Sequence, residues 1–153
     1  MGTEVIMNKT EYRTVFAEFK DKITDPDLLA FSKDLQVEML ISYMNKAIAK
    51  CNRIVKKTVD LSLRYDDILE FEVEIPDEVM DILTEWMVVY WLKPYVNNIE
   101  NLRNNLSTKD FSIFSPANLL EKIGNRYENA RKNARSLTNE YSYIIADMKE
   151  LKT

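Results

Sequence analysis

No histidine, one cysteine and a crowd of carboxylates limit the chemistry open to this chain. Without histidine it lacks the commonest general base, the usual partner of a nucleophilic serine or cysteine, and the commonest transition-metal ligand. Cys51 is alone, so it forms neither an intrachain disulfide nor a cysteine metal cluster. It also falls on the apolar stripe of a helical segment, the place of a buried structural thiol rather than a nucleophile. Gly2 and Gly124 are the only glycines, which excludes a phosphate-cradling loop and a dinucleotide fingerprint. Carboxylate pairs are plentiful, but no spacing singles out one pair as acid and base, and none has the glycine turn of a calcium loop. The expectation is a protein with no catalytic residue, no metal and no cofactor.

Charge is more informative. Between Asp60 and Glu85 stand ten acids (Asp60, Asp66, Asp67, Glu70, Glu72, Glu74, Asp77, Glu78, Asp81 and Glu85) against one base, Arg64. Just before them Lys46, Lys50, Arg53, Lys56 and Lys57 run without an acid, and Lys46, Lys50, Arg53 and Lys57 share one helical face. Lys122, Arg126, Arg131, Lys132 and Arg135 form a second basic group. Any single charge of this kind is best read as part of a solvated helix face. Together, one acidic and two basic surfaces on a small domain permit head-to-tail contact between copies, which closes into a ring when the rotation allows. The candidate contact residues are Lys46, Lys50, Arg53 and Lys57 on one side and Asp66, Asp67, Glu70 and Glu72 on the other. A basic face near Tyr43 could also meet nucleic-acid phosphates, but the net charge of −4 makes that the secondary reading.

The elements that carry these charges read as helices. At 153 residues, 46% hydrophobic and 30% charged, the chain suits one globular domain. So few glycines disfavour a many-stranded sandwich or barrel. No stretch approaches a membrane span, and the start lacks a secretory signal, so folding in the cytoplasm is expected. Asn8-Lys9-Thr10-Glu11 reads as a capping box, with Met7 and Tyr12 as its staple, before a helix carrying Val15, Phe16, Phe19 and Ile23. Pro26 restarts the chain, and Leu28, Phe31, Leu35, Met39, Leu40, Tyr43, Met44, Ile48, Cys51 and Ile54 hold one face to about Lys57, with a break near Ser32. In 58–75 the alternation of Leu69, Phe71, Val73 and Ile75 with glutamates predicts an extended connector or one short strand. Pro76 opens a strongly apolar central helix, which Pro94 should end or kink.

Ser107 to Phe114 reads as a loop whose Phe111 and Ile113 either dock onto a partner protein or fold back onto the core. Ser115 caps the last helix, with Pro116 in its first position and Phe114 stapled to Leu119. Its stripe, Leu120, Ile123, Tyr127, Ala130, Ala134, Leu137, Tyr141, Ile144, Met148 and Leu151, keeps a heptad rhythm. Such a helix either lies at the edge of a bundle or outgrows its domain to pack on a neighbouring subunit. The expected architecture is all-α: a small helical bundle with a long C-terminal helix. Residues 1–153 form a single domain, 1–8 are a flexible start, and 144–153 are a flexible or arm-like end.

Several of these segments, in order, resemble the head–tail connector (adaptor, or head-completion) proteins of long-tailed bacteriophages infecting Gram-positive bacteria. They are Met39, Tyr43, Ala47-Ile48 and Cys51; Asp60-Leu61-Ser62, Arg64, Asp66-Asp67 and Phe71; Ile82-Leu83, Met87 and Trp91-Leu92-Lys93-Pro94. Lys109-Asp110-Phe111, Ser115-Pro116-Ala117-Asn118 and Tyr141-Ser142-Tyr143 complete the set. Tyr65, between Arg64 and the acidic pair, departs from the pattern. The resemblance implies a non-enzymatic virion protein of the neck, made in the host bacterial cytoplasm. It would form a ring, usually of twelve copies, beneath the portal protein. It would also contact the next neck or tail-completion protein, and extend the DNA channel without sequence-specific binding to DNA or any contact with membrane. The alternative from the residues alone is a cytoplasmic helical module that binds a partner protein or nucleic acid.

Overall fold

A helix that is apolar on every side must be surrounded, and here one such helix organises the molecule. A computed structural model describes residues 8–29, 32, 35–97 and 116–151. Its elements are α1 (Tyr12–Lys22), α2 (Pro26–Leu29), α3 (Val37–Val55), β1 (Arg64–Tyr65), β2 (Glu70–Phe71), α4 (Asp77–Asn97) and α5 (Pro116–Leu151). The fold is thus a small helical bundle with one short hairpin and a long C-terminal helix. From Val79 to Leu92 every residue of α4 except Asp81 and Tyr90 is buried, and α1, α3 and α5 all pack on it. Asp77 and Glu78 sit in its first turn, where the partial positive charge of a helix start favours acids.

Pro94 does not end this helix, which runs on to Asn97. A proline there removes the amide that Tyr90 O would accept from, at about 3 kcal/mol in a helix interior. Burial of Trp91 and Leu92, each fully covered, offsets that, since a large apolar side chain contributes about 1.5–3 kcal/mol. Phe19 meets Trp91 edge-on, with ring centroids 6.0 Å apart, so α1 and α4 are held by an aromatic contact. On α3 the buried line is Leu40, Met44, Ala47, Ile48, Cys51 and Val55, whereas Met39 is exposed and Ile54 only half-buried. Burial pushes the Cys51 thiol up to about 12, which makes it a poor nucleophile. Of the stripe expected before it, Phe31 lies outside the described residues.

The capping box expected at Asn8 is not formed. Glu11 is the N-cap, in extended conformation and without a side-chain cap. Thr10 and Glu11 are drawn instead into the hairpin: Phe71 N–H donates to Thr10 O (2.8 Å), Tyr12 N–H to Leu69 O (2.9 Å) and Thr10 N–H to Val73 O (3.1 Å). The Thr10 hydroxyl accepts from Ile75 N–H at 2.8 Å. Four long-range bonds thus replace a local cap; Met7, its proposed staple, is outside the described residues. The 58–75 connector is likewise more than one strand. β1 and β2 pair antiparallel, Arg64 with Phe71 and Tyr65 with Glu70. Side chains pin the hairpin root to α3: Asn52 bonds Asp60 and the Leu61 amide, and the Arg64 guanidinium donates to Leu61 O and Asn45 Oδ1.

On α5 the buried positions are Ile123, Ala130, Ala134, Tyr141 and Ile145. The expected stripe passed through Ile144, but a straight helix drifts about 20° per heptad away from a 3.5-residue repeat, and burial moves to Ile145. Ala130 and Ala134 are fully covered and let α5 lie close to α4, where Trp86 Nε1 donates to Thr138 Oγ1 at 3.1 Å. Beyond Ile145 the helix leaves the core. The loop with Phe111 and Ile113, and the cap at Ser115, lie outside the described residues.

Two substitutions on α5 test this packing by denaturant unfolding. A Cβ at Gly124 meets nothing within 4 Å, so Gly124→Ala should raise stability by about 0.5–1 kcal/mol. Ala134→Leu should lower it by about 1–3 kcal/mol through overpacking. Cys51 should resist an aromatic disulfide reagent until the chain unfolds.

Candidate functional site

Of the charges that read as surface, several are consumed inside the fold. Glu85 is buried at the junction of α1, α4 and α5, with Lys22 Nζ 2.9 Å from its Oε2 and Arg126 Nη1 3.9 Å from its Oε1. Lys22 also bonds Asp81 at 2.5 Å, and Arg126 reaches Asp25 at 3.7 Å and donates to Lys22 O at 3.2 Å. Glu85 and Asp81 therefore leave the acidic surface, and Arg126 leaves the second basic one. The reason is geometric: Glu85 is buried, and half-buried Arg126 and exposed Asp81 are drawn to its edge by Lys22 and by the meeting of α1, α4 and α5, which their spacing along the chain does not reveal. Burial opposes the charge on Lys22, but its hydrogen bonds to Asp81 and Glu85 outweigh it and hold the ammonium above its ordinary pKa.

Two more acids are structural. Asp66 accepts from the Tyr12 hydroxyl at 2.6 Å. Asp60 accepts from Ser62 through its hydroxyl and amide and from Asn52, which hold its carboxyl down at about 2. Asp67, Glu70, Glu72, Glu74, Asp77 and Glu78 remain, none of them ion-paired among the described residues. Of the proposed acidic contacts, Asp67, Glu70 and Glu72 are therefore available, while Asp66 is tied to Tyr12.

The basic residues come together more closely than their spacing suggested. Lys46, Arg53 and Lys57 are exposed on and just beyond α3. Lys50 leans away from them, its ammonium 5.3 Å from the Trp86 ring, and Lys93 lies 5.8 Å from the Tyr90 ring. Both cations line a groove of about 230 Å³ between α3, α4 and α5, which Arg131 and Arg135 close from the far side. Trp86 and Val89 form its buried floor, and half-buried Tyr90 and Tyr127 stand in its walls. No carboxylate lines it. Arg131 is loosely paired with Glu128 at 3.7 Å, and Arg135 has no ion pair among the described residues. Lys50 from the first basic group and Arg131 and Arg135 from the second thus meet at one cationic, aromatic groove, to which Lys93 also contributes, while Lys46, Arg53 and Lys57 do not line it. Sequence spacing missed this, because only the packing of α3 and α5 on α4 brings Lys50 to Arg131.

Among the described residues, exposed apolar side chains gather in the hairpin and on outer α5, with Val37 and Met39 at the start of α3. In the hairpin, Leu63, Tyr65, Ile68 and Leu69 are exposed, and Leu69 adopts a left-handed φ of 54°. On α5 the hydroxyl contact of Tyr141 with Thr58 is followed by exposed Tyr143, Ile144, Met148 and Leu151. Ile144, Met148 and Leu151 share one helical face. Compared with models of protein families, with curated proteins and with solved structures, the chain gives no match.

The titrating groups predict alkaline sensitivity. Burial, with Asp66 added for Tyr12, raises the hydroxyls of Tyr12, Tyr43, Tyr90 and Tyr95 above their ordinary value. An unfolded tyrosine ionises near pH 10, so above about that pH the unfolded state binds fewer protons and stability falls. Lys22 acts in the same direction: its contribution is complete below the ordinary lysine pKa and is lost as pH rises through the higher folded value. Unfolding midpoints should therefore drop above pH ~10, with tyrosinate absorbance appearing together with unfolding. Lys22→Met, which leaves Glu85 buried beside a distant arginine, should cost about 3 kcal/mol at neutral pH. A variant as stable as the parent would show the ion cluster to be dispensable.

Proposed function

We propose that the chain is a structural head–tail connector of a long-tailed bacteriophage. Copies form a ring beneath the portal, join the DNA-filled capsid to the tail and extend the DNA channel. The observation that carries this reading is the outer end of α5, where an apolar face continues past the core and, among the described residues, is left exposed. A helix built to lie at the edge of a single bundle ends its apolar stripe where its neighbours end; this one does not. The ordered resemblance of Met39 to Tyr143 to the phage connectors supports the same reading, as does the segregation of unpaired charge. In the ring each subunit completes its neighbour's exposed surface.

A helical module that binds nucleic acid is the second reading, favoured by the cationic groove around Lys50 and Arg131. DNA-filled, portal-bearing capsids prepared without neck proteins separate the two. Added protein should form a ring under the portal, visible by electron microscopy. The triple variant Ile144→Ser, Met148→Ser, Leu151→Ser should melt as the parent does, because exposed substitutions usually change stability by no more than about 0.5 kcal/mol, yet leave the portal bare. Absence of a ring with the parent protein would remove the connector reading. Retardation of duplex DNA near physiological salt, with no binding to the portal, would favour the second.

A further inference from the structure

The hairpin tip and the cationic groove have complementary chemistry. The tip presents carboxylates (Asp67 and Glu70) interleaved with exposed Tyr65 and Ile68. The groove presents cations over an aromatic floor and contains no acid. Among the described residues no ion pair joins the two, and the only carboxylate paired with a groove cation is Glu128, loosely, with Arg131 at 3.7 Å. We infer that the hairpin tip of one copy docks into the groove between α3, α4 and α5 of the next copy. There Asp67 and Glu70 lie against Lys50, Lys93, Arg131 and Arg135, and an apolar tip residue covers the Trp86 floor.

Three features select a second copy over other occupants. The volume of about 230 Å³ suits side chains of a narrow hairpin rather than a whole helix. The hairpin is fixed at its root by Arg64 and by the strand contact with Thr10–Tyr12, so it is presented as a preformed knob. Its exposed Leu69 is held at φ 54°, a conformation unfavourable for a branched side chain, and strain of this sort gathers at binding elements. Groove and tip are different surfaces, so the contact leaves a free tip and a free groove from which, in the ring, it repeats from copy to copy. This inference rests on the ring reading and names the surfaces that build the ring.

Zero-length carbodiimide cross-linking of the full chain at low ionic strength tests it. Dimers and higher species should form, with Lys50 or Lys93 joined to Asp67 or Glu70, and should fall about tenfold in roughly 0.5 M salt, where the Debye length is a few ångström. Arg131→Glu, Arg135→Glu and, separately, Asp67→Lys, Glu70→Lys should each stay monomeric. Mixing the two variants should restore cross-linking, because each then supplies the surface that the other lost. Circular dichroism should show both variants folded; where one is not, Lys50→Gln, Lys93→Gln or Glu70→Gln takes its place. Failure of the mixture to cross-link, or linkage at other residues, overturns the contact. So does protection of the groove lysines by duplex DNA in place of a second copy. Rings on portal-bearing capsids from both reversed variants would overturn the contact and leave the connector reading standing. No ring from the parent protein would remove that reading and leave the cross-links to judge the contact.

Discussion

Everything in this fold depends on the need to surround α4. A helix whose Val79–Leu92 stretch is apolar on nearly every side is stable in water only when other elements cover it. α1, α3 and α5 do so with amphipathic faces, and their polar faces are thereby turned outward. Chemistry open to partners is thus confined to the rim. The charged residue buried in that core, among the described residues, is Glu85, and it is paired with Lys22 from α1 and faces Arg126 from α5. A buried charge shared by three helices adds little net stability, but it penalises any packing that separates them. On this fold it ties α1 and α5 to the same side of α4.

The hairpin obeys a different constraint. It lies between two long helices, and its few backbone bonds are too few to stand alone. Its stability is borrowed: from Thr10–Tyr12, which adds a third extended segment, and from Asn45, Asn52 and Asp60 at its root. The tip then carries exposed apolar residues and a left-handed leucine, which costs about 1–2 kcal/mol. A firm root under a strained, uncovered tip is an arrangement whose local rules are broken where contact is to be made.

Helical periodicity carried most of the architecture. α1, α4 and α5 follow from the spacing of Tyr12–Phe19, Val79–Trp91 and Ile123–Tyr141, since burial alone decides those faces. What failed was wherever a distant partner outbid a local preference. Asn8–Glu11 has the residue types of a capping box, yet Thr10 bonds the hairpin instead. Pro94, expected to end or kink α4, does not end it: the helix runs on to Asn97, with Trp91 and Leu92 buried just before the proline. Charges were read least well. Glu85 and Arg126 look like any surface pair along the chain, and the burial of Glu85 against half-buried Arg126 follows only from three helices meeting. Lys50 and Arg131 belong to separate runs, and only the packing around α4 makes them one groove.

The character of the open surfaces bears on how copies would assemble. Exposed ion pairs contribute about 0–1 kcal/mol each, and uncovered side chains such as Ile144 and Met148 are too few for a stable interface of standard size. Association of free subunits is then weak. A template that holds copies side by side turns each contact into an intramolecular one, and the same small terms become sufficient. Opposite charges on separate surfaces also orient the encounter, because acid against acid or base against base is repelled. In the proposed ring these two properties work together. On that proposal, weak heterologous contacts would keep subunits from closing or forming filaments in free solution, and the portal would supply the concentration and the rotation that close them.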